Sequence, residues 1–116
     1  MKIKTADSET YFNPHLISHV YLNSDGSLLT VHFVDGSHSG FPVETEEERA
    51  SAVAFLKQLI VEPGGFATIG HEVLNLKAAL WIAVPDEGPI QIRLGDNRTR
   101  MVDEADRELV LKRLAQ

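Results

Sequence analysis

The sequence predicts an α+β fold, mainly antiparallel β, built as two βββα-like repeats packed into one domain. Three observations carry this prediction. Asp25-Gly26 and Asp35-Gly36 each sit between runs of alternating apolar residues, the strongest local signal for a hairpin. Two helical stretches carry readable start signals. The same order of strand, turn and helix signals occurs twice along the chain.

The first unit is expected over about residues 11–62. Phe12-Asn13 leads into a strand-like run, His15-Leu16-Ile17-Ser18-His19-Val20. The turn Asn23-Ser24-Asp25-Gly26 follows, then an alternating strand from Leu29 to Val34, the turn Asp35-Gly36 and a third strand from His38 to Val43. Thr45-Glu46-Glu47-Glu48 fits a capping box, with carboxylates where the helix dipole favours them. Ala50, Val53, Ala54, Leu56 and Ile60 then recur at helical spacing, and Pro63-Gly64-Gly65 ends the helix.

The second unit is expected over about residues 66–116. Leu74-Asn75-Leu76 echoes Phe12-Asn13, and a strand through Leu80, Trp81 and Ile82 follows. The turn Pro85-Asp86-Glu87-Gly88-Pro89 leads to the strand Ile90 to Leu94, the turn Asp96-Asn97 and a strand from Arg98 to Val102. Asp103 is the expected N-cap of a helix bearing Leu109, Val110 and Leu114, with Lys112-Arg113 in its last turn. The core is expected from Leu16, Val20, Leu22, Leu29, Val31, Phe33, Val53, Leu56 and Ile60 in the first unit. Leu80, Ile82, Ile90, Ile92, Leu94, Met101, Leu109 and Leu114 are expected from the second. A unit of about 50 residues has too little core to stand alone easily, so the halves should pack together.

Composition narrows the function. The 116 residues hold no cysteine, which removes disulfides, thiol nucleophiles and Cys-ligated metals. No apolar run approaches the ~20 residues of a membrane span, and the polar start after Met1 has no apolar core of a signal peptide. A cytoplasmic location without a membrane partner is expected. The formal charge is -6, against non-specific nucleic-acid binding. It is uneven: residues 1–65 hold four Lys/Arg and nine Asp/Glu, residues 66–116 seven and eight. If a polyanion binds, it is expected on the second half.

Candidate sites follow from assumed turn lengths. Two-residue loops at the Asp-Gly pairs place His19 opposite His32, Phe33 opposite His38 and His32 opposite Ser39. Two imidazoles begin a metal site, but no third ligand is in view; the ordinary reading is a half-exposed sheet face carrying histidines, and no metal or cofactor is expected. A two-residue loop at Asp96-Asn97 sets Arg93 against Arg100, with Arg98 at the turn, and a four-residue loop at Asp86-Glu87-Gly88-Pro89, displaced by one, brings Trp81 beside Arg93. An aromatic ring among arginines on a sheet stacks bases and holds phosphates. The alternative pairs these arginines with carboxylates and buries Trp81. Glu46-Glu47-Glu48 reads as a helix start, Gly64-Gly65 lacks the lysine of a phosphate loop, and no residue shows the setting of an activated nucleophile or a raised carboxyl. Catalysis is not expected.

Phe66-Ala67-Thr68-Ile69-Gly70-His71-Glu72-Val73-Leu74-Asn75-Leu76-Lys77 resembles the core signature of LytTR-type DNA-binding domains, F-x-R-I-H-R-S, two or three apolar residues, then N-L. The strands and terminal helix around it are similar in order. The resemblance implies a LytTR-like fold and a DNA-binding part of a transcriptional regulator; contacts are expected from the segment His71 to Lys77 and, by the sheet register, from Trp81, Arg93, Arg98 and Arg100. Thr68 stands at the first arginine position and Glu72 at the serine, where a carboxylate repels phosphate. The alternative is a non-catalytic protein-interaction module that kept the fold and lost DNA binding.

Overall fold

The computed structural model describes residues 1–5, 8–61 and 65–115. β1 (Lys2–Lys4) pairs with β2 (Glu9–Tyr11) as a small antiparallel sheet. After a 3-10 turn at Pro14–Leu16 come β3 (Ile17–Leu22), β4 (Leu28–Phe33), β5 (His38–Pro42) and helix α1 (Glu46–Val61). The hairpin β6 (Phe66–Ile69) and β7 (Glu72–Asn75) precedes a second 3-10 turn at Leu76–Ala78. β8 (Trp81–Ala83), β9 (Gln91–Arg93), β10 (Thr99–Met101) and α2 (Glu104–Leu114) complete the chain.

A five-stranded sheet, ordered β5-β4-β3-β7-β6, forms the middle layer, and β10-β9-β8 form a separate three-stranded sheet. Every pairing is antiparallel. Alternation along the strands sends side chains to both faces of the middle sheet. Val20, Leu29, Val31, Phe66 and Val73 join Ile3, Ala52, Phe55 and Leu59 in one core, under β1-β2 and α1. Ala67, Ile69 and Leu74 join Ile90, Ile92, Leu94, Val102 and Val110 in a second core, under the three-stranded sheet and α2. The three layers give an elongated body of 49 × 26 × 25 Å.

The capping box forms as read: Glu48 N–H donates to Thr45 Oγ1 at 3.1 Å and Thr45 N–H donates to Glu48 Oε1 at 3.1 Å. Asp103 holds the N-cap position of α2 but makes no side-chain cap bond. The helix stop at Pro63-Gly64 lies outside the described residues.

The core differs from expectation in its helix face and its last strand. α1 buries Ala52, Phe55 and Leu59, while Val53 is exposed and Leu56 and Ile60 lie at the margin. Leu16, Leu22, Leu80, Met101 and Leu114 are exposed, and Val102 replaces Met101 inside.

The order hairpin, 3-10 turn, three strands, helix occurs twice. Asn13 and Asn75 begin the two turns alike, each accepting a backbone N–H two residues on, from His15 and Lys77, at 3.1 Å. Sheet membership is not repeated: β1-β2 stand apart, whereas β6-β7 extend the sheet of β3, β4 and β5.

Candidate nucleic-acid interface

Three turns set the geometry, and all are built alike. Gly26 N–H bonds Asn23 O, Gly36 N–H bonds Phe33 O, and Asn97 N–H bonds Leu94 O. Gly26, Gly36 and Asn97 have positive φ. Asp25, Asp35 and Asp96 each accept the N–H two residues on, at 2.9–3.0 Å. The last two are type I turns with a left-handed residue before the closing strand, which shifts pairing by one from a two-residue loop. His32 therefore faces His38, not Ser39, and Phe33 does not face His38. Arg93 faces Thr99, not Arg100. The expected pairs His19–His32 and Trp81–Arg93 are present.

The shift separates the two arginines. A one-residue change of register moves a side chain to the other face of its sheet. Trp81, Arg93 and Thr99 form a row on the outer face, where Trp81 is 44% exposed. Arg93 Nη1 donates to Thr99 Oγ1 at 2.8 Å, and among the described residues this cation has no ion-pair partner. Arg100 instead pairs with Ile92 and points inward.

Arg100 is thus no outward contact. Its Nε and Nη2 donate to the two oxygens of Glu72, both at 3.1 Å. Its Nη2 and Nη1 reach Asp96 at 2.8 and 3.1 Å. This guanidinium ties the middle sheet to the β9–β10 turn. Burial works against its charge, but the hydrogen bonds to Asp96 and Glu72 prevail and hold its pKa above the ordinary arginine value. The bond from Arg100 is the main cause that holds the Asp96 carboxyl far below its ordinary range. Glu72 faces inward to this cation, so it does not present its charge to a phosphate as the sequence suggested.

The remaining candidates fall in two places. Lys77 is exposed on the second 3-10 turn, four residues before Trp81, on the rim of a groove of about 480 Å³ shared with His15, Val34 and Leu80. His71 is exposed at the β6–β7 turn and Arg98 at the β9–β10 turn. Lys77 and His71 thus lie at opposite ends of β7. Among the described residues, the side chains of Lys77 and Arg98 have no hydrogen-bond or ion-pair partner. Arg107 and Arg113 are spent on backbone carbonyls of Gly88, Pro85 and Ile60.

Sequence reasoning missed what surrounds His71. Its ring meets Tyr21 edge-on at 6.4 Å, and Tyr21 stacks beside His32, whose Nε2 lies 3.3 Å from the Tyr21 hydroxyl. His19 and His32 stack at 4.2 Å, and His32 and His38 at 5.2 Å. His19 Nε2 is 3.9 Å from Glu72 and 3.7 Å from Asp96, the carboxylates that no spacing argument had supplied. Burial, with His32 and Arg100 nearby, pushes the His19 pKa down to about 4, against the pull of these carboxylates. Burial and His38 lower that of His32. Stacked rings do not aim their nitrogens at one point, and among the described residues no group of three or more histidines and carboxylates is arranged to hold a metal. No helix of the described residues is long and apolar enough to cross a membrane.

No family model matches the sequence, and no curated protein matches it. Among solved structures, the LytTr DNA-binding domain assigned to a methyl-accepting/DNA response regulator of Bacillus cereus superposes with a TM-score of 0.63. The match covers 100% of this chain and 96% of that one at 11% identity. The chain has the fold of a LytTr domain over its whole length.

Proposed function

We propose that this chain is a DNA-binding domain and the output part of a transcriptional regulator, acting in the cytoplasm without catalysis. The observation that carries the reading is the full-length correspondence with a LytTr DNA-binding domain. An outward row of Trp81 and Arg93, with unpaired Lys77 and Arg98, supplies the chemistry such a domain needs. Arg93, Lys77 and Arg98 neutralise phosphates, Trp81 stacks on a sugar or base, and His71 donates from its turn. Arg100 positions the β9–β10 turn and with it Arg98. The inward turn of Glu72 removes one repulsion from the surface.

Fluorescence anisotropy of labelled duplex and single-stranded DNA at ~50 and ~200 mM salt tests this, because phosphate contacts make affinity fall steeply with salt. The expected result is salt-sensitive binding that prefers duplex and is weakened in the Lys77→Ala, Arg93→Ala double variant. A preference for single strands assigns the Trp81–Arg93 row a different ligand. No binding by folded protein at the lower salt sinks the reading and leaves a protein-interaction module.

A further inference from the structure

Four of the five histidines gather on one side of the middle sheet. The side covered by the three-stranded sheet has two unlike parts. Its β6–β7 part carries Ala67, Ile69 and Leu74 and is sealed in the second core. Its β3–β5 part carries His19, Tyr21, His32 and His38, and His71 joins them through Tyr21. His38 and His71 are exposed and His32 is half-buried, so the run opens from the buried His19 to solvent.

We propose that His32, His38 and His71 form a proton-gated contact for the phosphate backbone of the bound nucleic acid. The inference rests on the DNA-binding reading and adds its regulation. The fixed charges beside the ledge are Glu72 from β7, Asp96 from the β9–β10 turn and Arg100 from β10, one negative charge in sum. Arg98 adds an unpaired cation at the same turn, and its carbonyl accepts from Arg100 Nη1 at 3.2 Å. With neutral imidazoles the surface is thus close to balanced in a chain of formal charge -6.

Each proton taken up by these rings adds a cation to the ledge. His32 faces His19 and Tyr21 from β3, His38 from β5, and Glu72, Asp96 and Arg100 beyond them. His71 faces Tyr21, and His38 faces His32. Rings stacked at 5.2 Å repel when both are charged, so the second proton needs an anion beside it. A phosphate supplies that charge and takes the N–H bonds. Binding and protonation therefore reinforce each other, as linkage requires. His19 is walled in, and burial disfavours its charged form. A run of rings, with steps of 5.2, 5.5 and 6.4 Å, suits a chain of phosphates better than one small anion.

The test is anisotropy with one duplex at pH 7.5 and 6.5 at fixed salt, with calorimetry at pH 6.5 in two buffers of different ionisation enthalpy. One proton taken up per complex gives about a tenfold gain per pH unit. The expected result is a gain of about that size with net proton uptake. Both should be lost in the triple variant His32→Gln, His38→Gln, His71→Gln. Should the half-buried substitution unfold the chain, judged by circular dichroism, the exposed pair His38→Gln, His71→Gln should lose most of the gain. Binding without proton uptake, or a pH response that survives these substitutions, overturns the gate and leaves the DNA-binding reading standing. No binding at either pH by folded protein overturns the reading, and the gate falls with it.

Discussion

The two faces of the three-stranded sheet hold the same kind of residue to opposite ends. On the inner face Arg100 sits between Glu72 and Asp96, its charge used up inside the protein. On the outer face Arg93 lies between Trp81 and Thr99, its charge open to a ligand. Arg100 follows Thr99, the residue that faces Arg93, so one position in register separates the two roles. Whether an arginine belongs to the fold or to a surface is settled here by the left-handed Asn97, not by composition.

The largest effect should come from the inner face. Arg100→Ala leaves two carboxylates without their cation in a largely dry place, and breaking such a pair costs about 3–5 kcal/mol. Urea denaturation should show a loss of about 3 kcal/mol at neutral pH, since Asp96 retains some solvent. A loss below about 1 kcal/mol would place Arg100 with exposed arginines and dissolve the contrast between the faces.

The two asparagine turns sharpen the same contrast between buried and open settings. Asn75 is buried, caps its 3-10 turn and donates from Nδ2 to Ile17 O at 2.9 Å, joining β7 to the start of β3. Asn13 caps its turn in the open. Asn75→Ala should cost about 2 kcal/mol, because it strands buried backbone groups, and Asn13→Ala about 0.5 kcal/mol. Equal losses would show that burial of the turn does not matter.

The inner cluster also makes stability depend on pH. The folded state lowers the His19 pKa from 6.5 to about 4, so the unfolded chain takes the proton first. Stability from this group is complete above pH 6.5 and falls between there and about 4, by roughly 1 kcal/mol per pH unit for one proton. Asp96, held low by Arg100, adds stability above its ordinary range that is lost as pH falls through and below that range. His19→Gln should flatten the first fall and leave the second. Unchanged curves between pH 7 and 5 would remove His19 from the cluster's energetics.

Much of the architecture was legible because local chemistry decides it. The capping box at Thr45–Glu48, the Asp-Gly turns and the strands around them need only neighbours in sequence. Trp81 beside Arg93 followed from a loop displaced by one. The length of a turn is harder to read. Asp35-Gly36 and Asp96-Asn97 both announce a hairpin, yet the extra left-handed residue changes which side chains oppose. Arg100 was misplaced for that reason alone. Its partner Glu72 lies 28 residues away, and only the joining of β7 to β3 brings it near His19. The ledge was half visible, since alternation puts His19 and Tyr21 on one side of β3. The helix face was lost because Val53, Leu56 and Ile60 keep the same period as Ala52, Phe55 and Leu59.

The outer face should respond least in stability and most selectively in binding. Arg93→Ala removes one bond to Thr99 on a solvated surface, so its cost in folding should stay within about 0.5 kcal/mol. If Arg93 holds a phosphate, the slope of log affinity against log salt should fall by about 0.9 for duplex DNA, equally across sequences. If it reads a base edge, the slope should hold and discrimination at one position should weaken by about 1–3 kcal/mol. Trp81→Ala separates these further. A ring that stacks on DNA loses affinity at every salt concentration alike, because stacking releases no counterions. A salt slope unmoved by Arg93→Ala, with no position relaxed, would make the outer arginine as silent toward DNA as the inner one.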